Sequence, residues 1–317
     1  MILAIDVGGT KMAAGLVSRD GTVTASARTG TPQDADAETL WKTLVRLVEP
    51  FADGVEGVGV GCGGPMTWPE GEVSPLNIPG WRGFPLRARL AGRFPGVPVR
   101  VHNDAICLAL AEHWQGAGQG SRDMLGMVVS TGVGGGLILG GRLVDGATGN
   151  AGHIGHVVVE PVGGPPCGCG GHGCLEAVAR GPALAAWAQA QGWVPDRPLS
   201  VVGDGVDVLP YLEDRAVTGR KLAADARAGD AVALAAMRRA GRALGVAIAS
   251  ATHLCDLELV TIGGGLSQAG ELLFGPLEEA LREHARMEFA ARVRVVPAAL
   301  GQEAGLVGAA ALIVRDH

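Results

Sequence analysis

The stretch ILAIDVGGTK, residues 2–11, sets the fold expected of this chain. Its first six residues are apolar apart from Asp6, which predicts a buried β-strand, and the glycines that follow predict a tight turn. The apolar stretch MAAGLV comes next and, after the turn RDG, the stretch TVTASA. Together these segments predict a β-meander whose first turn is rich in glycine.

Two further strands run into glycine turns. LGMVVS (125–130) enters TGVGGG (131–136), from which a second strand, LIL, is expected to leave, and LELVTI (257–262) enters GGGLS before a predicted helix. Backbone N–H groups in such turns can bind phosphate oxygens. Ordinary hairpins also favour glycine, so this alternative stays open for each turn taken alone.

Two common nucleotide-binding motifs are excluded. The chain has no G-x-x-x-x-G-K-[ST] sequence, so none of its turns is a Walker A loop. One G-x-G-x-x-G occurs at Gly59–Gly64, but Pro65 and Pro69 interrupt the helix that should follow it, and no acidic residue lies about 20 positions further on. A dinucleotide-binding motif is therefore rejected.

The segment VPVRVHNDAICLALAEHWQ (97–115) joins a strand to a helix. Its alternating valines predict a half-buried strand, and Asn103 is a suitable N-cap for the helix after it. Asp104 then lies in the first helical turn, where the helix dipole keeps a carboxylate ionised. An ionised carboxylate at the carboxyl end of a strand can accept a proton from a substrate hydroxyl, although Asp104 can equally be a second capping residue.

Length and charge restrict the class of protein. The chain has 317 residues, 47% of them hydrophobic, and a net charge of −6. It is long enough for two domains, and the absence of a basic face argues against nucleic acid as a partner. No signal peptide and no apolar run of about 18 residues is found, so we expect a soluble cytoplasmic protein that does not bind membranes and has reduced thiols.

The stretch CGCGGHGC, residues 167–174, contains three of the six cysteines. Cys167 and Cys169 are too close to pair without strain, and C-x-C-x4-C is not the C-x-x-C of redox proteins. Three thiolates in eight residues of a cytosolic protein favour a structural zinc site, which needs a fourth ligand. His153, His156 and His172 are the candidates, and a reduced glycine-rich loop without metal is the alternative.

Helices are expected in the alanine-rich and leucine-rich segments 175–191 and 220–255 and at 303–314. The stretch from Gly192 to Pro210, rich in proline, glycine and aspartate, is expected to be an irregular excursion on the surface.

Taken together, these motifs resemble the ROK family of bacterial sugar kinases along essentially the whole chain. The matching segments are DVGGTK (6–11), GVGCGGP (59–65), NIPGW (77–81), HND (102–104), STGVGGG (130–136), GNAGHIGH (149–156), CGCGGHGCLE (167–176) and IGGGLS (262–267). The resemblance implies an α/β fold of the actin/hexokinase type, with two domains and a cleft between them. It implies a smaller domain at 1–105, against which a helix at about 303–317 packs, and a larger domain at 106–302 with a zinc loop at 156–174.

The same resemblance implies an ATP-dependent kinase that phosphorylates the 6-hydroxyl of a hexose, with glucose as the first candidate. Asp104 would be the catalytic base, and Mg²⁺ would be held partly through water by Asp6. The implied sugar-binding residues are Gly64, Asn77, Asn103, Asp104, His153, His156 and Glu176. The implied ATP-binding and phosphate-binding residues are Asp6, Gly8, Gly9, Thr10, Lys11, Thr131, Gly132, Gly134, Gly264 and Gly265. The implied zinc ligands are His156, Cys167, Cys169 and Cys174.

One position departs from the family pattern. The family usually has AGEIGH where this chain has AGHIGH, so His153 replaces a glutamate that binds the sugar 1- and 2-hydroxyls. The histidine form resembles bacterial N-acetylmannosamine kinases of sialic-acid catabolism, which makes N-acetylmannosamine the alternative substrate. Polyphosphate as the donor also stays open, and the resemblance implies a homodimer or homotetramer.

Two rival classes fit less well. Transcriptional repressors of the family carry an added N-terminal helix-turn-helix domain, for which a first strand beginning at Ile2 leaves no room. A non-catalytic sugar-binding regulator would be expected to lack Asp104 or Lys11, and both are present.

Overall fold

The computed structural model describes residues 1–195 and 210–315 and divides into two compact units. The first comprises Met1–Gly126, Gly135–Gly152 and Ala298–His317, and the second Met127–Gly134 and His153–Pro297. The described strands are Ile2–Val7 (β1), Lys11–Val17 (β2), Val23–Gly30 (β3), Gly57–Cys62 (β4), Met66–Thr67 (β5), Glu72–Val73 (β6), Val99–Asn103 (β7), Met124–Val129 (β8), Val133–Leu139 (β9), Arg142–Leu143 (β10), Leu259–Gly263 (β11) and Arg294–Pro297 (β12). The described α-helices are Ala37–Val48 (α1), Leu86–Arg93 (α2), Asp104–Gln115 (α3), Leu175–Ala179 (α4), Gly181–Ala190 (α5), Pro210–Arg227 (α6), Ala231–Cys255 (α7), Glu271–His284 (α8) and Ala304–Val314 (α9).

The first unit contains a five-stranded sheet in the order β3-β2-β1-β4-β7. β1, β2 and β3 pair antiparallel, which confirms the predicted meander, while β4 and β7 extend the sheet in parallel with β1. The strands β1 and β4 are apolar throughout, apart from Asp6 and the glycines, because both of their faces are covered. Antiparallel β5 and β6 form a separate two-stranded sheet.

The helix α9 lies directly against this sheet, and glycines permit the close approach. A Cβ atom at Gly59 on β4 would overlap the carbonyl of Ala309 on α9. A Cβ at Gly308 would likewise overlap the carbonyl of Cys107 on α3. Two helices and a strand therefore meet backbone to backbone, which fixes where α3 begins relative to the end of β4.

A buried carboxylate joins α3 to the chain before α9. Glu112, on α3, has no exposed surface, and its two oxygens accept hydrogen bonds from the backbone N–H groups of Ala117, Ala299 and Leu300 at 2.8 to 3.0 Å. A buried charge is tolerated in a protein only when its hydrogen bonds are satisfied in this way. The first compact unit accordingly includes α3 and continues past residue 105, the boundary expected from the sequence, to Gly126.

The other five-stranded sheet has the order β10-β9-β8-β11-β12, with β11 and β12 parallel and β9 and β10 antiparallel. The sequence prediction placed residues 131–136 in a turn, but β9 already begins at Val133. Gly136 lies within that strand, and α3 packs directly against it. A Cβ at this position would come within 2.9 Å of Ile106 and Ala109, so a side chain would not fit.

Two predicted helices are each divided. The segment 175–191 forms α4 and α5 because Arg180 is extended and Pro182 occupies the first turn of the next helix, where its missing N–H costs nothing. The segment 220–255 is interrupted at Gly229, which has a positive φ of 94°, and Asp230 caps α7 by accepting from the Ala233 N–H. The predicted surface excursion at Gly192–Pro210 lies mostly outside the described residues.

None of the helices in the described part of the chain combines the length and the apolar content needed to cross a bilayer.

Candidate functional site

Parallel strands bring two acidic residues of the first unit, Asp6 and Asp104, to one edge of its sheet. In the register of β1, β4 and β7, Val7 lies opposite Cys62, and Cys62 lies opposite Asn103. The carboxyl ends of three neighbouring strands therefore stop at the same level. Asp6 and Asp104 lie at that level, which is where ligands bind in open α/β sheets.

Asp104 begins α3, as the sequence predicts. The side chain of Asn103 caps the helix by accepting from the Ala105 N–H at 3.0 Å, and the Asp104 Oδ1 atom accepts from the same N–H at 2.8 Å. Asn103 is buried, whereas Asp104 is only half-buried. The cap thus holds Asp104 in the first helical turn and leaves part of its carboxylate accessible.

The surroundings of Asp6 disfavour the ionised form of its carboxyl. Burial and, to a smaller extent, the nearby Asp104 carboxylate raise the pKa of its carboxyl from 3.8 to about 6, although Lys11 and Arg28 act in the opposite direction. Gly305, in the first turn of α9, makes room for the side chain, because a Cβ there would lie 2.5 Å from Asp6 Oδ2. Two neighbouring carboxylates, one of them poorly solvated, are suited to holding a divalent cation.

Asn77 lies against the same cluster. A Cβ at Gly9 would come within 2.6 Å of Asn77 Nδ2, and a Cβ at Gly63 would lie 3.4 Å from Asn77 Oδ1 and 4.0 Å from Asp104 Oδ2. Gly64 follows directly and accepts a hydrogen bond from the Leu76 N–H at 3.2 Å. The structure therefore brings the predicted sugar-binding residues Gly64, Asn77, Asn103 and Asp104 together.

The turn after β1 is held by the segment that follows β3. The Gly8 N–H donates to the Lys11 carbonyl at 3.0 Å, and the Thr31 hydroxyl donates to the Gly8 carbonyl at 2.7 Å. The Thr31 N–H donates to the Thr10 carbonyl, and Gln33 Nε2 donates to the Gly9 carbonyl. Because these carbonyls are already bound, the peptide planes of residues 8–10 are fixed, and Lys11 stands exposed at the start of β2.

In the second unit, a second turn precedes β9. The Ser130 N–H donates to the Gly132 carbonyl at 2.8 Å, and the Val133 N–H donates to Glu176 Oε2 at 2.9 Å. Glu176 lies in the first turn of α4, directly after the cysteine loop. The sequence assigned Glu176 to the sugar, which stays a prediction, and the structure shows that its carboxylate anchors this turn.

A pocket with about 400 Å³ of empty space, part of it open to solvent, lies beside this turn. Its lining includes Thr131 and Gly265, both predicted to bind ATP or phosphate, together with Ser130, Gly181, Pro182, Gly219, Arg220 and Leu266. Gly264, with a φ of 93°, lets the β11 turn approach the Val129 backbone. Sequence reasoning missed the lining residues on α5 and α6, because nothing in a helix-forming segment marks them as close to a distant glycine turn.

The structure also brings together the four predicted metal ligands. One ligand atom from each of His156, Cys167, Cys169 and Cys174 lies within 4.8 Å of all the others. Cys167 Sγ is 3.7 Å from His156 Nδ1, and Cys169 Sγ is 3.7 Å from Cys174 Sγ. A tetrahedral zinc ion with Zn–S bonds of about 2.3 Å requires sulfur atoms ~3.8 Å apart, so the donor set fits zinc.

The thiols themselves favour a cation. The Gly171 N–H lowers the pKa of the Cys169 thiol, whereas burial and the two neighbouring thiols raise the pKa of Cys174 to about 12. Cys174 with so high a pKa needs a positive charge beside its sulfur to ionise at neutral pH. Of the histidines that the sequence left open, His156 joins the group, and neither His153 nor the exposed His172 does.

His153 lies beside the four candidate metal ligands. It immediately precedes the short 3₁₀ helix Ile154–His156, and its ring is stacked 6.3 Å from that of His156. The same helix approaches the second turn closely, since a Cβ at Gly155 would overlap the Val133 carbonyl. Two contacts in the second unit therefore meet at Val133. Its N–H binds Glu176, which follows the cysteine loop, and its carbonyl lies against Gly155, which precedes His156.

The raised pKa of Asp6 predicts a pH dependence of stability. A carboxyl that titrates near 6 when folded and at 3.8 when unfolded binds more protons in the folded state between these values, so it lowers stability as pH rises through this window. The difference in unfolding free energy between Asp6→Asn and wild type, measured in Mg²⁺-free buffer, is expected to change by about 1 kcal/mol in favour of the variant as the pH rises from 5 to 7.5. Urea unfolding at each pH measures this difference. The exposed-site control Asp53→Asn should run parallel to wild type, and a parallel curve for Asp6→Asn would contradict the assignment.

The comparison with known proteins agrees with this geometry. The glucokinase of Thermotoga maritima is 36% identical over 316 residues, which cover 98% of this chain and 96% of that protein. The N-acetylmannosamine kinase of Shigella flexneri is 35% identical over 314 residues, which cover 98% and 97%. A crystal structure of a ROK family glucokinase from Streptomyces griseus, in complex with glucose and AMPPNP, matches with a TM-score of 0.80 at 34% identity and covers 99% of both chains.

These likenesses extend over nearly the whole chain, and they confirm the predicted actin/hexokinase-like α/β fold class. A model of the ROK family matches residues 2–316. The chain belongs to the ROK family.

Proposed function

We propose that the protein is an ATP-dependent sugar kinase that transfers the γ-phosphoryl group to the 6-hydroxyl of a hexose, with glucose as its substrate. The observation that carries this proposal is the position of Asp104 at the start of α3, beside Asn77 and the glycines of two turns. The similarity to glucokinases from Thermotoga maritima and Streptomyces griseus supports the choice of glucose.

The chemistry assigned to the residues is a direct phosphoryl transfer. Asp104 accepts the proton of the 6-hydroxyl, and the sugar oxygen attacks the γ-phosphorus in line while ADP leaves. The residues assigned to the sugar are Asn77, Asn103, His153, His156 and Glu176. The glycine turns at residues 8–11 and 131–134 are assigned to phosphate oxygens, through backbone N–H groups other than those of Gly8 and Val133, which bind Lys11 and Glu176.

Asp6 is assigned to Mg²⁺, partly through water. Its poorly solvated carboxylate, beside that of Asp104, fits a divalent cation, which when bound would neutralise charge on the phosphates. The pocket lined by Thr131, Arg220 and Gly265 is assigned to the nucleotide. Cytoplasmic location and homo-oligomeric assembly stay predictions from the sequence.

The direct test is a coupled assay of ADP release with glucose, mannose, N-acetylglucosamine and N-acetylmannosamine, each at the same concentration. Glucose is expected to give the highest kcat/KM. A polyphosphate donor is assayed in parallel by product formation. Absence of sugar-dependent ADP release with all four sugars would contradict the kinase assignment.

The assignment of Asp104 predicts a loss of turnover without a loss of fold. Asp104→Asn keeps the size of the side chain but removes the base, so kcat is expected to fall ~10²- to 10⁴-fold. Hexose affinity, measured by calorimetry, and the melting temperature are expected to stay close to those of wild type. The control Asp53→Asn, at an exposed position, should keep full activity. A kcat within threefold of wild type for Asp104→Asn would remove this residue from the mechanism.

We also propose that His156, Cys167, Cys169 and Cys174 hold a structural zinc ion, because four protein ligands close the tetrahedron. The ion would fix the 3₁₀ helix Ile154–His156 relative to α4. His156 would bind through Nδ1, and its Nε2 side is then available to a sugar hydroxyl.

The zinc proposal predicts one zinc per chain in the purified protein. Cys169→Ser is expected to lose the metal and, since the cysteine loop orients His156, to weaken hexose binding. His172→Ala is the matched control in the same loop and is expected to keep both. Elemental analysis with hexose titration measures both quantities, and an active wild-type protein without zinc would overturn the proposal.

A second candidate function, N-acetylmannosamine kinase, is favoured by one position. His153 stands where the family usually has glutamate, and a relative at 35% identity is an N-acetylmannosamine kinase. A charged glutamate accepts strongly from two hydroxyls, whereas a neutral histidine can also donate to an N-acyl carbonyl. His153 is therefore the proposed selector at the sugar C2 position.

The selector role predicts that His153→Glu raises the ratio of kcat/KM for glucose to that for N-acetylmannosamine by about tenfold or more, equivalent to ~1.4 kcal/mol. Steady-state kinetics with both sugars measures this ratio. His172→Glu introduces the same charge at an exposed neighbouring position and should leave the ratio unchanged. If His153 only supports the metal group, His153→Glu lowers both activities in parallel and the ratio stays constant.

A further inference from the structure

A buried histidine that the mechanism above does not use lies directly before the catalytic segment. His102 is 3% exposed and occupies the penultimate position of β7. Both of its ring nitrogens are engaged: Nδ1 is 2.8 Å from the backbone nitrogen of Asn103, and Nε2 is 2.9 Å from Asp145 Oδ1. The ring therefore touches the residue that caps α3 on one side and a distant loop on the other.

The chemistry of these contacts defines the tautomer of the ring. The Asn103 N–H can only donate, so Nδ1 must be the acceptor and carry no proton. Nε2 then carries the proton and donates it to the Asp145 carboxylate. Among the described strands, β7 is at the edge of its sheet, and the imidazole of His102 provides the acceptor for the Asn103 N–H.

The loop on the other side of the ring is also fixed. Asp145 follows β10 and accepts from the Ala151 N–H through its carbonyl at 3.1 Å. The ring of Trp68 packs 6.5 Å from that of His102, and Gly149 lies so close to Trp68 that a Cβ would overlap its side chain. The loop 145–152 is thus held against the end of β7, and the chain continues directly into His153.

We propose that His102, oriented by Asp145, is a positioning residue for the catalytic base. By accepting the Asn103 N–H, it fixes the peptide that joins His102 to Asn103. This peptide places Asn103, the cap of α3, and so sets the direction of the Asp104 carboxylate that follows it. This inference rests on the proposed kinase function. A base displaced by about 1 Å can lose up to ~10²-fold in rate, so the contact affects kcat more than hexose affinity.

Two substitutions separate the two sides of the ring. In His102→Asn, the amide oxygen takes the place of Nδ1 and still accepts the Asn103 N–H, while the contact with Asp145 is lost. In His102→Gln, the amide nitrogen takes the place of Nε2 and still donates to Asp145, but the buried Asn103 N–H loses its acceptor.

We expect His102→Gln to lower kcat by at least tenfold, and His102→Asn to stay within about threefold of wild type, with the KM for hexose within about twofold in both. Melting temperatures are recorded for both variants. A role in stability alone would make kcat follow the melting temperature and give no advantage to His102→Asn. That result, or an unchanged kcat in His102→Gln, would overturn the inference.

A second measurement is independent of turnover. Long-range ¹H–¹⁵N NMR of the wild-type protein is expected to show Nε2 of His102 protonated and Nδ1 unprotonated, and Asp145→Ala is expected to weaken this preference. Protonation of Nδ1 in the wild type would contradict the contact itself. A wild-type protein with the expected tautomer but no sugar-dependent ADP release would instead contradict the proposed function, and with it the catalytic part of the inference.

Discussion

The candidate site depends on one constraint, the parallel register of β1, β4 and β7. Because these strands run in the same direction and stop at the same level, residues that are distant in sequence reach one edge of the sheet. Asp6 and Asp104 are neighbours there, each at or just after the end of a strand. Burial, and then the charge of Asp104, raises the pKa of Asp6, and a cation at that position would stabilise the ionised carboxylate. The close approach of α9 to β4 at Gly59, and of α9 to α3 at Gly308, holds α3 beside this sheet.

In the second unit, contacts from two separate segments meet at Val133, the first residue of β9. Its N–H binds Glu176, and its carbonyl is approached by Gly155 of the 3₁₀ helix that ends in His156. The turn at residues 130–132 and the Cys₃His group are therefore parts of one backbone arrangement. This arrangement gives a physical reason why the proposed structural zinc is expected to influence sugar binding. Its removal would free His156 and, through Gly155, loosen the start of β9.

Local patterns predicted much of this structure. The apolar alternation and the capping Asn103 were sufficient to predict the β7–α3 junction. The cysteine spacing was sufficient to predict a cluster of possible metal ligands, though not its histidine. Where packing between distant segments decides, the sequence was a poor guide. The glycines of β9 are typical of a turn in sequence, but Gly136 lies in a strand against which α3 packs. His102 and Glu112 look like ordinary residues of a strand and a helix, since their acceptors and donors at residues 145, 299 and 300 follow no local pattern.

Asp104 and the glycine turns are proposed to serve phosphoryl transfer from ATP to a hexose 6-hydroxyl. The most direct measurement is ³¹P NMR of the product formed by the wild-type protein from ATP and glucose. Transfer to the 6-hydroxyl is expected to give new phosphomonoester signal that coincides with that of authentic glucose 6-phosphate and equals the ADP formed in amount. Release of inorganic phosphate without a sugar phosphate, or a product phosphorylated at the 1-hydroxyl, would contradict it.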